Sequence, residues 1–161
     1  KAVAEVITEK KGVGLRSRVG HSYIKSLMAE SGAIFGGEHS GHFYFADFWR
    51  ADSGMLAALY ALAELMDSNK PLSNLLKPYN RYFSSGEINS KVKDVAKSIK
   101  AVEEKYQGKY QLDHLDGLTV TADSWWFNLR PSNTEPLLRL NVEANTEKEM
   151  AIITDAVLAL L

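Results

Sequence analysis

The stretch Ala33–Trp49, AIFGGEHSGHFYFADFW, carries the fold of the first half of this chain. Apolar Ala33–Phe35 predicts a short buried strand that runs straight into Gly36-Gly37-Glu38-His39-Ser40-Gly41-His42. Phe43–Trp49 predicts a second strand beyond this glycine-rich loop. Upstream, Ser22 is placed to cap a helix through Glu30, with Ile24, Leu27 and Met28 inward and Gly32 as its stop. Val13–Val19 alternates as a strand would, and Ala2–Glu9 reads as a helix ending in Lys10-Lys11-Gly12. Downstream, Ser53–Asp67 predicts a helix with Met55, Leu56, Leu59, Leu62, Ala63 and Met66 in an apolar stripe. Pro71 suits the start of a short helix, Leu72–Lys77. Alternation of strand and helix predicts a layered α/β unit.

The segment 78–90 changes character. It holds Pro78, Asn80, Ser84, Ser85, Gly86, Asn89 and Ser90, which places a domain boundary near Tyr79–Phe83. Two domains are therefore expected, over residues 1–80 and 81–161. In the second, Lys91–Tyr106 predicts a helix, and Leu118–Thr121, Trp125–Leu129 and Leu138–Glu143 predict strands. Thr146 is placed to cap a last helix, with Glu147 and Glu149 in its first turn. Strands gathered between two helices predict a small α+β domain.

Composition narrows the function classes. The chain has 161 residues, 45% of them hydrophobic, and a formal net charge of −1. Its Lys and Arg residues form no basic run, so nothing electrostatic favours nucleic acid or an acidic membrane surface. With no cysteine, disulfides, thiolate nucleophiles and thiolate zinc sites are excluded. No apolar run reaches the roughly 20 residues that span a bilayer. A cytoplasmic location is expected. The chain opens on Lys1, already inside a helical pattern, which suggests a piece of a longer protein.

Two loops carry candidate chemistry. Between two apolar strands, Arg130-Pro131-Ser132-Asn133-Thr134-Glu135-Pro136 offers a guanidinium, two hydroxyls and an amide, the donors a phosphate dianion wants. Its prolines lower the cost of ordering the loop on binding. The same composition also suits a plain polar turn, and Arg139 can point away along its strand. In the other loop, Glu38 can accept from two vicinal sugar hydroxyls, Ser40 can donate or accept, and His42 can act near neutral pH. The competing readings are a flexible turn, or a metal site built from His39, His42, Glu38 and His21. His21 can also simply precede the helix cap, and His114 reads as surface.

Taken together, the segments resemble the α-D-phosphohexomutase family. Gly37–His42 resembles its sugar-recognition loop, and Arg130–Pro136 its phosphate-binding loop. Val19-Gly20-His21-Ser22-Tyr23-Ile24-Lys25 and Ser85-Gly86-Glu87-Ile88-Asn89 are similar to two further segments, in the same order. The resemblance implies that this chain is the third domain, lacking its first strand, followed by a fourth domain similar to the TATA-binding-protein fold. It implies a parent enzyme that interconverts hexose 1-phosphate and hexose 6-phosphate through a phosphoserine and a bisphosphosugar. Glu38, Ser40 and His42 would hold the sugar. Arg130, Ser132, Asn133 and Thr134 would hold the non-reacting phosphate. His42 and His21 would lie near the reacting hydroxyl as acid/base or orienting groups.

The family's phosphoserine loop and its aspartate-rich Mg²⁺ loop have no counterpart in these residues. No turnover and no metal are therefore expected of this chain alone. Mg²⁺ would bind the parent through a domain not present here, and the missing N-terminal domains are expected partners. Asn133 favours the phosphomannomutase/phosphoglucomutase branch over phosphoglucosamine mutases, and nothing distinguishes mannose from glucose. The alternative is a free-standing, non-catalytic module that binds sugar phosphates.

Overall fold

Two compact units make up the computed structural model, which describes residues 1–132 and 135–161. One unit holds residues 14–79, and the other holds residues 1–13 together with 80–161.

In the unit 14–79, helix α2 (His21–Ser31) leads into strand β1 (Phe35–Gly37). Antiparallel β2 (Phe43–Phe45) and β3 (Ala51–Asp52) follow, then helices α3 (Gly54–Ser68) and α4 (Leu72–Leu76). Gly32 ends α2 in the left-handed region, as its position predicts. The cap at the other end is Gly20 with no side-chain bond, so Ser22 lies inside the helix and does not cap it. The buried core of this unit is small: Ile24 and Met28 of α2 close on Tyr44 of β2. Gly36 makes that closure possible. A Cβ there would sit 3.0 Å from Ile24 Cγ2 and 3.2 Å from Met28 Sδ, so a larger residue would push these two side chains aside.

Several expectations fail here. Val13–Val19 forms no strand, because alternation needs a neighbouring strand and none of the described residues pairs with it. The first strand lies two residues later than expected and is not buried; Phe35 is half exposed. The second strand stops at Phe45 and turns into a 3₁₀ segment, Ala46–Phe48, after which Trp49 and Arg50 take positive φ. Ser53 does cap α3, accepting from the Leu56 N–H at 3.2 Å. Its apolar stripe is left uncovered. No residue of α3 is buried, and Met55 and Met66 are 78% and 77% exposed. Helical periodicity marks a face that a partner layer would cover, and no described element covers this one.

The second unit is built on one antiparallel sheet of order β4-β8-β7-β6-β5. Its strands are β4 (Phe83–Lys91), β5 (Gln111–Asp113), β6 (Leu118–Thr121), β7 (Trp125–Pro131) and β8 (Leu137–Ala144). Helices α5 (Val95–Tyr106) and α6 (Glu147–Leu158) contribute Val102, Tyr106 and Val157 to one core with the inward residues of β6, β7 and β8. Phe127, Leu129, Leu138, Leu140 and Val142 are fully buried. The residues between them, Asn128, Arg130, Arg139 and Asn141, lie on the opposite face.

Most of the polar stretch 78–90, where no strand was expected, belongs to the edge strand β4. Its register on β8 shifts between Ser84 and Glu87 around Gly86, whose φ is +66°. The Ser85 hydroxyl accepts from the Val142 N–H at 3.0 Å across that bulge, taking the place of a missing ladder bond. The helix expected from Lys91 starts only at Val95, because the strand runs on to Lys91 and Asp94 caps the helix by accepting from the Lys97 N–H at 2.9 Å. Thr146 caps α6 as expected.

The expected division at residue 80 meets one difference. Helix α1 (Ala2–Glu9) groups with residues 80–161. Arg81 donates to both oxygens of Glu9, at 2.6 and 2.7 Å, and to Glu5 at 3.2 Å, while the Tyr82 hydroxyl donates to Glu5. These bonds hold both glutamates below their ordinary carboxylate pKa and push Tyr82 up to about 12.

Gly117 precedes β6 at φ +71°, and a Cβ there would lie 2.6 Å from the Leu129 carbonyl oxygen and 2.7 Å from Arg130 Cβ. Both backbone strain and overpacking oppose a side chain. Gly117→Ala should lower stability by about 2–4 kcal/mol in denaturant unfolding. A midpoint equal to the parent's would show that β7 yields at Arg130.

Candidate functional site

The glycine-rich segment folds as the turn of the β1–β2 hairpin, whose register pairs Gly36 with Tyr44 and Gly37 with Phe43. The Glu38 N–H donates to the His42 carbonyl at 2.9 Å, and the Gly41 N–H to the Glu38 carbonyl at 3.0 Å. Gly41 has φ +85°, a conformation that suits glycine at this position. The turn leaves His39 and Ser40 exposed and turns Glu38 and His42 toward the body of the hairpin.

Two side chains hold those residues, and sequence reasoning found neither of them as part of the site. The Tyr44 hydroxyl donates to Glu38. Tyr44 has no solvent exposure. Burial first, and the Glu38 bond second, raise its pKa, so the hydroxyl keeps its proton and remains a donor. His42 Nδ1 lies 2.6 Å from Asp52 Oδ2, and Asp52 Oδ1 accepts from the Phe43 N–H at 2.8 Å. With Nδ1–H donating to Asp52, Nε2 is the nitrogen left for proton exchange with a ligand. Tyr44 and Asp52 are direct partners across β2 and β3, so one rung of the sheet positions both the carboxylate and the imidazole. No local motif signals Asp52, because its link to His42 exists only through strand pairing.

His21, at the first turn of α2, joins this group. Its ring lies edge-on to His42 at 4.8 Å and to Tyr44 at 5.4 Å between centroids. His39 does not join it, so the His21/His39/His42 arrangement weighed for a metal is not the one formed. Among the described residues, the grouping able to hold an ion is His21, His42 and Asp52, with ligand atoms within 4.8 Å of one another. Two imidazole nitrogens and one carboxylate do not fit Mg²⁺, which demands an octahedral shell of oxygens.

The second loop lies in the other unit. Arg130 stands on β7 directly opposite Arg139 on β8. Arg139 therefore does share a face with Arg130. The Glu87 carboxylate lies between them, 3.6 Å from Arg130 Nη2 and 3.3 Å from Arg139 Nη1. The Ser132 N–H donates to the Leu137 carbonyl at 2.8 Å, closing the base of the loop. Asn133 and Thr134 lie outside the described residues. His114 is exposed and pairs with Glu103 at 3.3 Å. No helix among the described residues is long and apolar enough to cross a membrane.

Comparison with known proteins places the two halves of the chain in one family. Residues 1–82 match the family model described as phosphoglucomutase/phosphomannomutase, alpha/beta/alpha domain III. Residues 87–160 match that of the phosphoglucomutase/phosphomannomutase C-terminal domain. The chain belongs to the phosphoglucomutase/phosphomannomutase family. Family relatives include a phosphomannomutase of Methanocaldococcus jannaschii, 47% identical over 150 residues that make up 93% of this chain and 33% of that protein. A phosphomannomutase of Escherichia coli is 39% identical over 160 residues, 98% of this chain and 35% of that protein. A crystal structure of a phosphoglucomutase/phosphomannomutase family protein from Burkholderia thailandensis superposes with a TM-score of 0.82 at 31% identity, covering 99% of this chain and 34% of that one. The chain thus spans about a third of the length of these family members.

The His42–Asp52 pair has a defined pH window. The Asp52 hydrogen bond, ahead of all other causes, raises His42 above its ordinary 6.5, and the same bond lowers Asp52 below 3.8. The His42 contribution is present below 6.5 and fades as pH rises through the raised value. The Asp52 contribution is present above 3.8 and fades as pH falls through the lowered one. The pair is therefore strongest between those limits. In Asp52→Asn, NMR titration of the imidazole should show the His42 pKa falling toward the ordinary value. An unmoved titration would mean that the pair does not set the charge of His42.

Proposed function

We propose that this chain is the sugar- and phosphate-recognition portion of a phosphohexomutase of the phosphomannomutase/phosphoglucomutase branch, divided into residues 1–80 and 81–161. The observation that carries this reading is the pairing of a held carboxylate and a held imidazole on one hairpin, in a chain whose two halves match two consecutive domains of one family. The substrate class is a hexose 1- or 6-phosphate, with mannose and glucose the candidates.

In this reading Glu38 accepts hydrogen bonds from two vicinal sugar hydroxyls. Tyr44 donates to the same carboxylate and fixes its direction. Ser40, exposed in the turn, adds a hydroxyl that donates or accepts. Because hydroxyls on either side of a hexose present similar pairs of donors, such a grip tolerates a sugar bound in two orientations. His42 exchanges a proton with the reacting hydroxyl through Nε2, or orients it, while Asp52 keeps Nδ1 protonated. His21 lines the same spot and orients the hydroxyl from the α2 side. Arg130, Ser132, Asn133 and Thr134 bind the non-reacting phosphate, with the guanidinium contributing paired charged donors.

The transfer itself belongs to the parent enzyme, whose phosphoserine and Mg²⁺ come from other domains. On its own this chain binds without turnover. Calorimetry with glucose 1-phosphate and mannose 1-phosphate tests the reading. Weak binding is expected from the parent chain, and Arg130→Ala should weaken it by about tenfold or more, since a charged hydrogen-bond partner of the phosphate is lost. Equal affinities in variant and parent would remove Arg130 from the phosphate site.

A further inference from the structure

Arg130 and Arg139 are direct partners on neighbouring antiparallel strands, and both side chains stand on the sheet face away from the core. Two like charges directly opposite one another repel. Neither is fully solvated, at 19% and 30% side-chain exposure, so water screens that repulsion only in part. Among the described residues, one carboxylate answers them. Glu87 stands on the edge strand next to β8 and turns one oxygen to each guanidinium, Oε2 to Arg130 and Oε1 to Arg139.

The separations are telling. At 3.6 and 3.3 Å, both exceed the roughly 2.7–2.9 Å of a well-made charge-assisted hydrogen bond. Glu87 therefore balances the pair without occupying the forks of either guanidinium. Arg139 also keeps its buried Nε without a hydrogen-bond partner among the described residues. Two arginines and one carboxylate leave one net positive charge, whereas a phosphate monoester brings nearly two negative ones. A dianion entering beside Glu87 meets two cations and one anion. That carboxylate must swing away or weaken the complex by repulsion.

We propose that Glu87 is a built-in stand-in anion. It holds the Arg130–Arg139 pair together in the empty protein and lowers the affinity for the incoming phosphate group, which has to displace it. This rests on the reading of Arg130 as a phosphate ligand and adds Glu87 as the residue that sets how tightly the phosphate is held. The benefit to a mutase is release: a grip with two uncompensated guanidinia would retain its sugar phosphate. Since Glu87 acts on the phosphate group alone, inorganic phosphate and a hexose phosphate should feel it equally.

The experiment titrates inorganic phosphate, and separately glucose 1-phosphate, into the 161-residue chain and its Glu87→Gln and Arg130→Ala variants by calorimetry at low salt. Glu87→Gln should bind both ligands about threefold to tenfold more tightly, by a common factor. Unchanged or weaker binding by Glu87→Gln, with Arg130→Ala impaired, overturns the stand-in role and makes Glu87 a support for the arginines. Tightening of the sugar ester alone also overturns it, because the effect would then lie on the sugar. Binding unaffected by Arg130→Ala refutes the phosphate site itself and the inference with it. Should Glu87→Gln fail to fold, the parent chain decides: the Glu87 side-chain carboxyl carbon resonance must shift along the phosphate titration with the binding midpoint. A stationary resonance overturns the proposal.

Discussion

The ladder between β7 and β8 governs the C-terminal unit, because one set of backbone hydrogen bonds serves two faces at once. Strand alternation sends Phe127, Leu129, Leu138, Leu140 and Val142 into the core, where all are fully buried. The same alternation puts Arg130 and Arg139 opposite each other on the second face. A slip of one residue would bury the guanidinia and expose the leucines, so the hydrophobic core fixes the geometry of the charged pair. Gly117 belongs to this constraint. Its bare backbone lets the turn before β6 pass within van der Waals reach of Leu129 and Arg130.

The unit 14–79 solves the same problem with far less apolar material. Its buried residues are Ile24, Met28 and Tyr44. Tyr44 is both the floor of that core and the donor to Glu38, so packing and positioning rest on one side chain. Across the sheet from it, Asp52 ties His42 to the strand and caps the Phe43 N–H. Such a site is held by hydrogen bonds to a short hairpin, with the carboxylate and imidazole at its tip tied to the β2–β3 rung.

Electrostatics divides the two loops. At the hairpin, Glu38 and His42 each have a committed neighbour: Glu38 has Tyr44, and His42 has Asp52. On the sheet, two cations share one loosely placed carboxylate. The first arrangement suits precise orientation of neutral hydroxyls. The second leaves one net positive charge on the sheet face, which attracts an anion.

Much of this was legible from residue order alone. Strong strand alternation located β6, β7 and β8, and the caps Ser53 and Thr146 stand where their side chains suggest. The two loops were visible because Gly, Pro and clustered polar residues have few other uses between apolar strands. The edge strand β4 was hidden, since Phe83–Lys91 buries little and its pairing depends on β8, some fifty residues away. The stripe on α3 was legible as a pattern, but its exposure was not, because periodicity states which side would be covered and not whether anything covers it. Local sequence thus determined which chemical groups this protein displays. Only tertiary pairing decided which groups meet: Asp52 with His42, Tyr44 with Glu38, and Glu87 with two arginines, since each contact is made across strands or through a turn, and strand register carries no signature in the neighbouring residues.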